Sequence, residues 1–449
     1  MDKKITLQRL GVILAYPLAY LYLRLLISFN GEFYIYTTIG CGDFKYNIAY
    51  PILALIFIAV NEIVRQGRRG AGKKPSSGTI FWYVITFLAG LTATIASEEI
   101  MSDIEVVSVF AMHLSAVYSV LVSNDLLLGG KTSGFIPADL IHGLYVKSFA
   151  GFPNFVVDWK CFAKPRVEGE AGTETVRKKN PVSAILFIII MFVLLVISIS
   201  LMSSIDKDIG KFFDNIFADF GRYLIHLRVD EIITRLIFAI PICFYLYGLM
   251  SRSAKSDGLR EKRFSSWLIN LKGKGKTVSS AIVYVAAGIF VVGYILFFIK
   301  RITYMLGGFA GDVPDGMLVS RYAQEGFWQM VGIAAVNMCV YIAIILLGKT
   351  DSDGKFALPA KILVTLLMIE NIIFSVISMS KIALYYSIYG YTPKRILAMW
   401  ATLSLGFAAL MTIITVLRGK PHFRAGVIFT TISYISICIL SAVLVAIGA

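Results

Sequence analysis

Four polar side chains lie near the middle of long apolar stretches, where proton or solute chemistry would need them. Glu370 and Asn371 fall in one such stretch, and His113 and Asn337 fall at similar depth in two others. A carboxylate at the centre of a membrane costs about 2.5–3.5 kcal/mol to insert, so such residues usually face a bundle interior and serve a pathway. The set predicts a proton relay or a substrate site. An equally weighted alternative is an interhelical hydrogen-bond cluster in which burial keeps Glu370 protonated.

A second candidate site combines positive charges with aromatic side chains near the ends of apolar stretches. Thr392 and Pro393 make a good helix start, with Thr392 as the N-cap and Pro393 at the first helical position. Lys394 and Arg395 would then occupy a first turn, where the helix dipole disfavours cations. A bound anion, such as a lipid phosphate or a polymer headgroup, would account for this pair. The slightly favoured alternative is that nearby carboxylates neutralise the two cations.

Lys381 lies on the same predicted helix as Glu370. The two residues share a face, because the spacing between them is close to a whole number of turns. A rise of about 16 Å along the helix excludes a direct ion pair. Lys381 lies close to the predicted end of its span, so we expect its ammonium group to extend to the membrane interface. The functional alternative makes Lys381 one of the cations of the second candidate site.

A group of carboxylates follows the third apolar stretch, at Glu98, Glu99 and Asp103. Such a group could bind a divalent cation, which prefers oxygen ligands. We favour a solvated turn, because the segment lacks a loop that would define ligand geometry. The histidines are scattered, without the convergent ligands of a zinc site. We therefore expect no bound metal and no cofactor, and the sequence leans against an enzyme.

The elements that position these residues are membrane-spanning helices. The chain has 449 residues, 57% of them hydrophobic, and its mean hydropathy is +0.75. Because a spanning helix needs about 20 apolar residues, we expect an all-α polytopic membrane protein with about 11 transmembrane helices and short amphipathic helices at the interface. The predicted spans are 10–29, 47–64, 80–97, 104–122, 181–203, 231–250, 280–299, 326–348, 358–386, 394–417 and 425–448.

The distribution of positive charge predicts the topology. The net charge is +15, and alternate loops, beginning with the N-terminus, hold most of the Lys and Arg residues. Cytoplasmic loops carry such an excess, so we expect the N-terminus in the cytoplasm and the C-terminus at the outer face. The partner that this charge favours is a lipid bilayer with anionic headgroups. Nucleic acid is not an expected partner, because the basic residues are divided among short loops, and a protein partner is not specified.

Two segments between the predicted spans have the pattern of helices that lie on a membrane. Residues 208–224 place apolar side chains at helical spacing, with acidic and basic residues between them. Residues 135–162 form a broken amphipathic stretch, which we expect on the cytoplasmic surface. We expect one multi-spanning domain over residues 1–449. Its parts are the first four spans (1–122), the cytoplasmic stretch and loop (123–180) and a seven-span region (181–449).

Two motifs resemble those of a known family: RYAQEGFWQMVGIAAVN, which begins at position 321, and SMSKIALYYSIYGYTPKR, which begins at position 378. They are similar to the bacterial polytopic membrane family catalogued as domain of unknown function 4173, which is related to 4153. The resemblance is clearest from about residue 180 onward. It implies a multi-pass protein of the bacterial plasma (inner) membrane and no established activity. The matching residues are Tyr322, Gly326, Phe327, Leu384, Tyr385, Tyr389, Gly390, Thr392 and Arg395, and the departures are Met330, Lys381 and Tyr391.

The predicted topology places both motifs on the outer side of the membrane. The eighth span would begin there and the ninth would end there, so we expect their residues to line one outer vestibule that binds an anionic ligand. Part of this clustering is expected without function, because Trp and Tyr also anchor spans at interfaces. The vestibule candidates are Arg321, Tyr322, Glu325, Trp328, Lys381, Tyr385, Tyr389, Lys394 and Arg395.

Three functions fit these features. The first is a transporter or flippase-like permease for an anionic or amphipathic solute, which the many spans and the polar groups at their centre favour. The second is an accessory or sensory membrane protein that binds an anionic lipid, an envelope polymer or a partner protein through its outer cations. The third, which ranks last because no carboxylate spacing is diagnostic, is a membrane-embedded enzyme acting on a lipid-like substrate.

Overall fold

The structure is a computed structural model that describes residues 3–26, 38–41, 44–70, 74–96, 102–163, 231–255, 279–348, 356–419 and 422–446. These residues are almost entirely helical. One short antiparallel pair joins β1 (Thr38–Cys41) to β2 (Phe44–Asn47), with Thr38 opposite Asn47. The helices are α1 (Lys3–Leu26), α2 (Ala49–Arg69), α3 (Ser77–Ile95), α4 (Ser102–Ser123), α5 (Ile136–Ile141), α6 (Ser148–Ala163), α7 (Glu231–Ala254), α8 (Ser280–Ala310), α9 (Val319–Leu347), α10 (Leu358–Tyr389), α11 (Pro393–Arg418) and α12 (Phe423–Ala446).

Within the described ranges, nine helices are long and apolar enough to cross a membrane: α2–α4 and α7–α12. They coincide with nine of the predicted spans, so the chain is a multi-pass membrane protein in contact with lipid. Helix α1 covers most of the first predicted span, although it is not one of the nine. The predicted span 181–203 and the predicted interfacial helix 208–224 lie outside the described residues. The total of eleven spans therefore stays a prediction.

The helices group into two compact units. Unit 1 is drawn from Met1–Ile35, Leu55–Lys74 and Ile141–Ser256, and so contains α1, most of α2, α6 and α7. Unit 2 is drawn from Tyr36–Ala54, Pro75–Leu140 and Asp257–Ala449, and contains α3–α5 and α8–α12. The expectation of one multi-spanning domain stays a prediction.

Unit 1 contains a close crossing of α6 and α7 at two glycines. A Cβ atom added to Gly151 would lie 2.6 Å from Gly248 Cα, and one added to Gly248 would lie 3.0 Å from the Gly151 carbonyl carbon. Both distances end on backbone, which cannot rotate away. The absence of side chains at these two positions therefore allows the helices to pack backbone to backbone.

Replacing Gly151 with alanine is expected to destabilise the protein by about 1–3 kcal/mol, because the new methyl group overpacks the crossing. Thermal melting of the purified protein in detergent measures the change. Gly288→Ala is the matched control, since Gly288 is also helical and a Cβ there meets nothing within 4 Å. The control should melt at or slightly above the wild-type temperature, and equal melting of the two variants would contradict the close crossing.

Unit 1 also contains a buried carboxylate that joins three helices. Asp158 on α6 pairs with Arg68 of α2 and accepts a hydrogen bond of 2.8 Å from the Tyr247 hydroxyl group of α7. Lys255 follows α7, and its ammonium nitrogen lies 3.8 Å from Asp158 Oδ1. The Arg68 and Asp158 side chains are only 15% and 12% exposed. Each charge therefore depends on the other for compensation in a poorly solvated place.

The stretch predicted to lie on a membrane surface, residues 135–162, is helical, but the predicted break is only a change of helix type within a continuous run. Helix α5 passes into a π-helical turn, His142–Lys147, and then into α6. Apolar side chains such as Tyr145, Phe149 and Trp159 are exposed, while Gly151 faces α7. The pattern suits contact with lipid on the exposed side.

In unit 2, α10 lies at the centre of four helices. It packs against α8, α9 and α11, and α11 packs in turn against α12. Helices α3 and α4 form a hairpin beside α12, where the Ser108 and Tyr434 hydroxyl groups lie 2.7 Å apart. The side of α8 that faces away from α10 carries exposed apolar side chains such as Ile289 and Ile299, which suits contact with lipid. The core around α10 therefore forms between helices that also face the bilayer.

Helix α8 is interrupted near its end. The backbone of Arg301 has φ −119° and ψ 17°, which is not helical, so the residues that follow form a separate short piece of helix. The helix then ends at Gly311, whose φ of 72° lies in the left-handed region that favours glycine. The short piece carries Tyr304, Gly307 and Gly308 to the end of α10.

Candidate functional site

A buried lysine lies at the end of unit 2 where α8 ends, α9 begins and α10 ends. Lys381 is 1% exposed, and its ammonium nitrogen lies 4.0 Å from the centre of the Tyr304 ring and 4.1 Å from that of Tyr322. A cation over aromatic faces is attracted by their quadrupoles. The expectation that Lys381 extends to the interface is wrong, because rings from two other helices enclose its ammonium group.

Two glycines make room for this lysine. A Cβ on Gly326 of α9 would lie 2.7 Å from Lys381 Cδ, and one on Gly308 of α8 would lie 2.9 Å from the Lys381 backbone nitrogen. The hydroxyl group of Tyr322 donates to the Tyr304 carbonyl group, which ties the start of α9 to the end of α8. We call Lys381, Tyr304, Tyr322, Gly308 and Gly326 the lysine cage.

The acidic neighbour of the cage is Glu325. Its carboxylate accepts a hydrogen bond of 2.9 Å from Arg321 and lies 3.4 Å from the Tyr304 hydroxyl group. The Arg321 side chain is 73% exposed, so this pair contributes little to stability. Among the described residues, Lys381 itself forms no ion pair, and its charge is stabilised mainly by the two rings.

A cavity of about 490 Å³ lies beside the cage, between α9, α10 and the start of α11. Four vestibule candidates line it: Trp328, Tyr385, Lys394 and Arg395. The other lining residues are Ala323, Gln324, Phe327, Ile382, Tyr391, Thr392, Pro393 and Ala398. The two family-like motifs therefore meet twice, because both contribute residues to the lysine cage and both line this cavity.

Arg395 is held by residues at the end of α10. Its guanidinium carbon lies 4.0 Å from the centre of the Tyr385 ring and 5.7 Å from that of Tyr389, and Nη1 donates to the Gly390 carbonyl group. Among the described residues no carboxylate pairs with Arg395, and the favoured alternative of neutralising carboxylates stays a prediction because Glu98 and Glu99 lie outside the described residues. Its Nε is buried and has no acceptor among the described residues.

The start of α11 matches its prediction. Thr392 is the N-cap with an extended backbone, and Pro393 lies in the first turn, although the Thr392 side chain makes no capping hydrogen bond. Burial raises the pKa of the Tyr391 phenol, so this cavity residue is neutral at neutral pH. The positive charge of the cavity wall comes from Lys394 and Arg395. Cations in a first turn oppose the helix dipole, and a bound anion would offset this unfavourable interaction.

The polar residues at the middle of the spans are partly brought together. The Asn337 side-chain nitrogen donates to Asn371 Oδ1 at 2.9 Å and to the Leu367 carbonyl oxygen at 3.2 Å. Glu370 is 6% exposed on the same helix as Asn371. His113 lies on α4, which packs mainly against α3, and its part in a joint relay stays a prediction.

The predicted carboxylate turn is described only in part. Glu98 and Glu99 lie outside the described residues, and Asp103 lies in the first turn of α4. Glu105, two residues later, is buried and accepts a hydrogen bond of 2.8 Å from the Tyr50 hydroxyl group. In the part of the chain that the structure describes, no group of three or more His, Cys, Asp or Glu residues could hold a metal ion.

Tyr304 was missed by the sequence reasoning, which also gave Gly326 no role beyond the family pattern. An aromatic residue near the end of an apolar stretch is usually a membrane anchor, so Tyr304 alone carried no signal. A glycine on the helix facing a lysine at equal depth is the signal that would have indicated a buried side chain.

Comparison with known protein families finds one model that matches most of the chain. The family model for Domain of unknown function (DUF4153) matches residues 83–446, which includes both motifs, the lysine cage and the cavity. The match begins well before residue 180, where the motif-based resemblance became clear. Membership of the related 4173 family is not shown. No curated protein and no solved structure matches the chain. The chain belongs to the family described as Domain of unknown function (DUF4153).

Proposed function

We propose that this protein is a permease or flippase-like transporter of the bacterial inner membrane for an anionic or amphipathic solute. The observation that carries the proposal is the cavity of about 490 Å³ at the ends of α9, α10 and α11. With the N-terminus in the cytoplasm, this cavity opens at the outer side of the membrane. Transport, the topology and the bacterial membrane are parts of the proposal.

The lining of the cavity suits an amphipathic anion. Its volume falls within the range of about 300–1,000 Å³ that is typical of small-molecule sites. Lys394 and Arg395 offer positive charge, and Trp328, Phe327 and Ile382 offer apolar surface. A headgroup phosphate or carboxylate would lie at the start of α11, where the positive end of the helix dipole also favours anions. An apolar tail would lie against the aromatic and aliphatic wall.

Binding of phosphatidylglycerol to the purified protein tests the ligand class. Native mass spectrometry of the protein with phosphatidylglycerol or phosphatidylcholine should show preferential adducts with the anionic lipid. The double variant Lys394→Ala/Arg395→Ala should bind phosphatidylglycerol at least about tenfold more weakly, because each lost charge contact is worth about 1 kcal/mol or more. Adding inorganic phosphate distinguishes a site that binds only the headgroup from one that also binds the lipid tail. Free phosphate would compete with phosphatidylglycerol at a headgroup-only site.

Arg418→Ala is the matched control for this experiment. Arg418 is an exposed cation at the opposite end of α11, away from the cavity. Its removal should leave the preference for phosphatidylglycerol unchanged. The proposed site would be refuted if the wild type bound both lipids equally, or if the control and the double variant lost equal affinity for phosphatidylglycerol.

Transport is tested separately in proteoliposomes that carry a fluorescent anionic lipid or a soluble organic anion. Movement across the bilayer that is lost in the double variant would support a permease. Anion binding without movement would instead favour the accessory or sensory function, in which the cavity only detects an envelope ligand.

A further inference from the structure

The central part of the α8–α11 bundle contains a single residue of the Lys, Arg, Asp and Glu types. The sequence between the charged ends of these helices has no Lys, Arg or Asp and only one Glu, which is Glu370. The uncharged segments are 280–299 in α8, 326–347 in α9 and 396–417 in α11, and α10 has Glu370 alone between Lys361 and Lys381. An ionised carboxylate in this segment would therefore find no cation at its own depth on any of these four helices.

The surroundings of Glu370 supply little else to stabilise a negative charge. The residue is 6% exposed, and its Oε2 is buried without a hydrogen-bond partner among the described residues. The titratable side chains that the packed helices carry near this level are the phenols of Tyr294 on α8 and Tyr341 on α9, and the exposed thiol of Cys339 on α9. Between positions 396 and 417, α11 presents none. Burial of an unpaired charge costs so much that such a group usually becomes neutral instead.

The polar pair next to Glu370 adds an excess of acceptors. The Leu367 carbonyl group can only accept, so it fixes the orientation of the Asn337 amide and directs the nitrogen toward itself and Asn371. Asn337 Oδ1 is consequently buried without a donor among the described residues, as Glu370 Oε2 is on the neighbouring helix. Buried acceptors without donors are uncommon in native proteins. A proton on Glu370 converts one of these two acceptors into a donor.

We propose that Glu370 is a reversible proton-binding site at the centre of the bundle, and that its carboxyl group is neutral in the conformation seen here. The site is separate from the cationic cavity and does not depend on the identity of its ligand. In a permease it would couple solute movement to the proton gradient, since loading and release of this proton change the charge of the bundle core.

Labelling with dicyclohexylcarbodiimide tests the proposal, because this apolar reagent reacts with protonated carboxyl groups inside membranes. The reagent adds to the carboxyl group and rearranges to a stable N-acylurea, which peptide mass spectrometry locates. We expect Glu370 to be modified at neutral pH, and the modification to fall about tenfold per pH unit once the group ionises. Glu370→Gln should lose this label.

Glu325→Gln is the matched control, because Glu325 is a partly exposed carboxylate of the same bundle that pairs with Arg321. It should leave the labelling of Glu370 unchanged. Labelling that does not vary with pH would overturn the proposal. Protection by sodium ions at constant pH would also overturn it, because a metal cation would then occupy the carboxylate.

Thermal melting against pH provides a second measurement that does not require the reagent to reach the site. A carboxyl group that is neutral when folded stabilises the protein at low pH, and that stability is lost as rising pH forces the buried group to ionise. The wild type should therefore melt at lower temperature as pH rises. Glu370→Gln, which resembles the neutral acid, should show a flatter profile. Parallel profiles combined with the absence of label at Glu370 would refute the site.

Discussion

Replacing Gly326 with alanine is expected to destabilise the protein by about 3–5 kcal/mol, combining overpacking with the loss of a cation–π contact. The new Cβ would lie 2.7 Å from Lys381 Cδ, so the lysine side chain would have to leave its place. Its ammonium group would then move away from the rings of Tyr304 and Tyr322. Denaturant titration in mixed micelles, followed by tryptophan fluorescence, measures the loss.

The reciprocal substitution separates this cause from a general intolerance of side chains at position 326. Lys381→Ala vacates the space that the new methyl group needs, so the double variant should be clearly more stable than the sum of the two single effects predicts. Contacting residues show coupling of about 0.5–3 kcal/mol in such cycles. Gly332→Ala is the matched control on the same helix, since a Cβ there meets nothing within 4 Å. Simple additivity at positions 326 and 381 would contradict the lysine cage.

Replacing Asp158 with alanine is expected to cost about 3–5 kcal/mol, because it leaves Arg68 buried without its compensating charge. The same change removes the acceptor of the Tyr247 hydroxyl group, which would loosen the contact between α6 and α7. The loss should appear as a lower melting temperature and as faster proteolysis within unit 1.

A double variant tests the role of charge. Arg68→Met together with Asp158→Leu removes both ions and keeps most of the volume, so it should recover much of the stability lost in Asp158→Ala. The partly exposed pair Arg321 and Glu325 is the comparison, since its removal should change stability by less than about 1 kcal/mol. If the loss of Asp158 were as mild as the loss of Glu325, the buried pair would not be structural.

The spans were predictable from sequence because length and hydropathy alone identify them. The Asn337–Asn371 contact was also within reach, since counting from the span ends placed both amides at similar depth. The N-cap at Thr392 followed from residue type and position. Each of these predictions depends on local sequence or on depth within a span, and both can be read from one sequence.

The position of Lys381 was not predictable in this way. Depth counting placed it near an interface, where a lysine ordinarily extends to water. Its burial depends on two rings and two glycines contributed by other helices, α8 and α9, at separations that no sequence pattern specifies. The role of Tyr304 was not predictable either, because it depends on the short piece of α8 after Arg301 passing beside α10.

The interruption of α8 at Arg301 also relates the protein to the thickness of its bilayer. Residues 280–300 form a rod of about 32 Å at 1.5 Å per residue, close to the hydrocarbon thickness of about 30 Å. The short piece beyond Arg301 therefore does not have to continue the same axis and can follow the lipid surface. A thinner or thicker membrane would change the tilt between the two pieces, and with it the height of the Tyr304 ring above Lys381. Lipid chain length would thus act on the lysine cage without touching it.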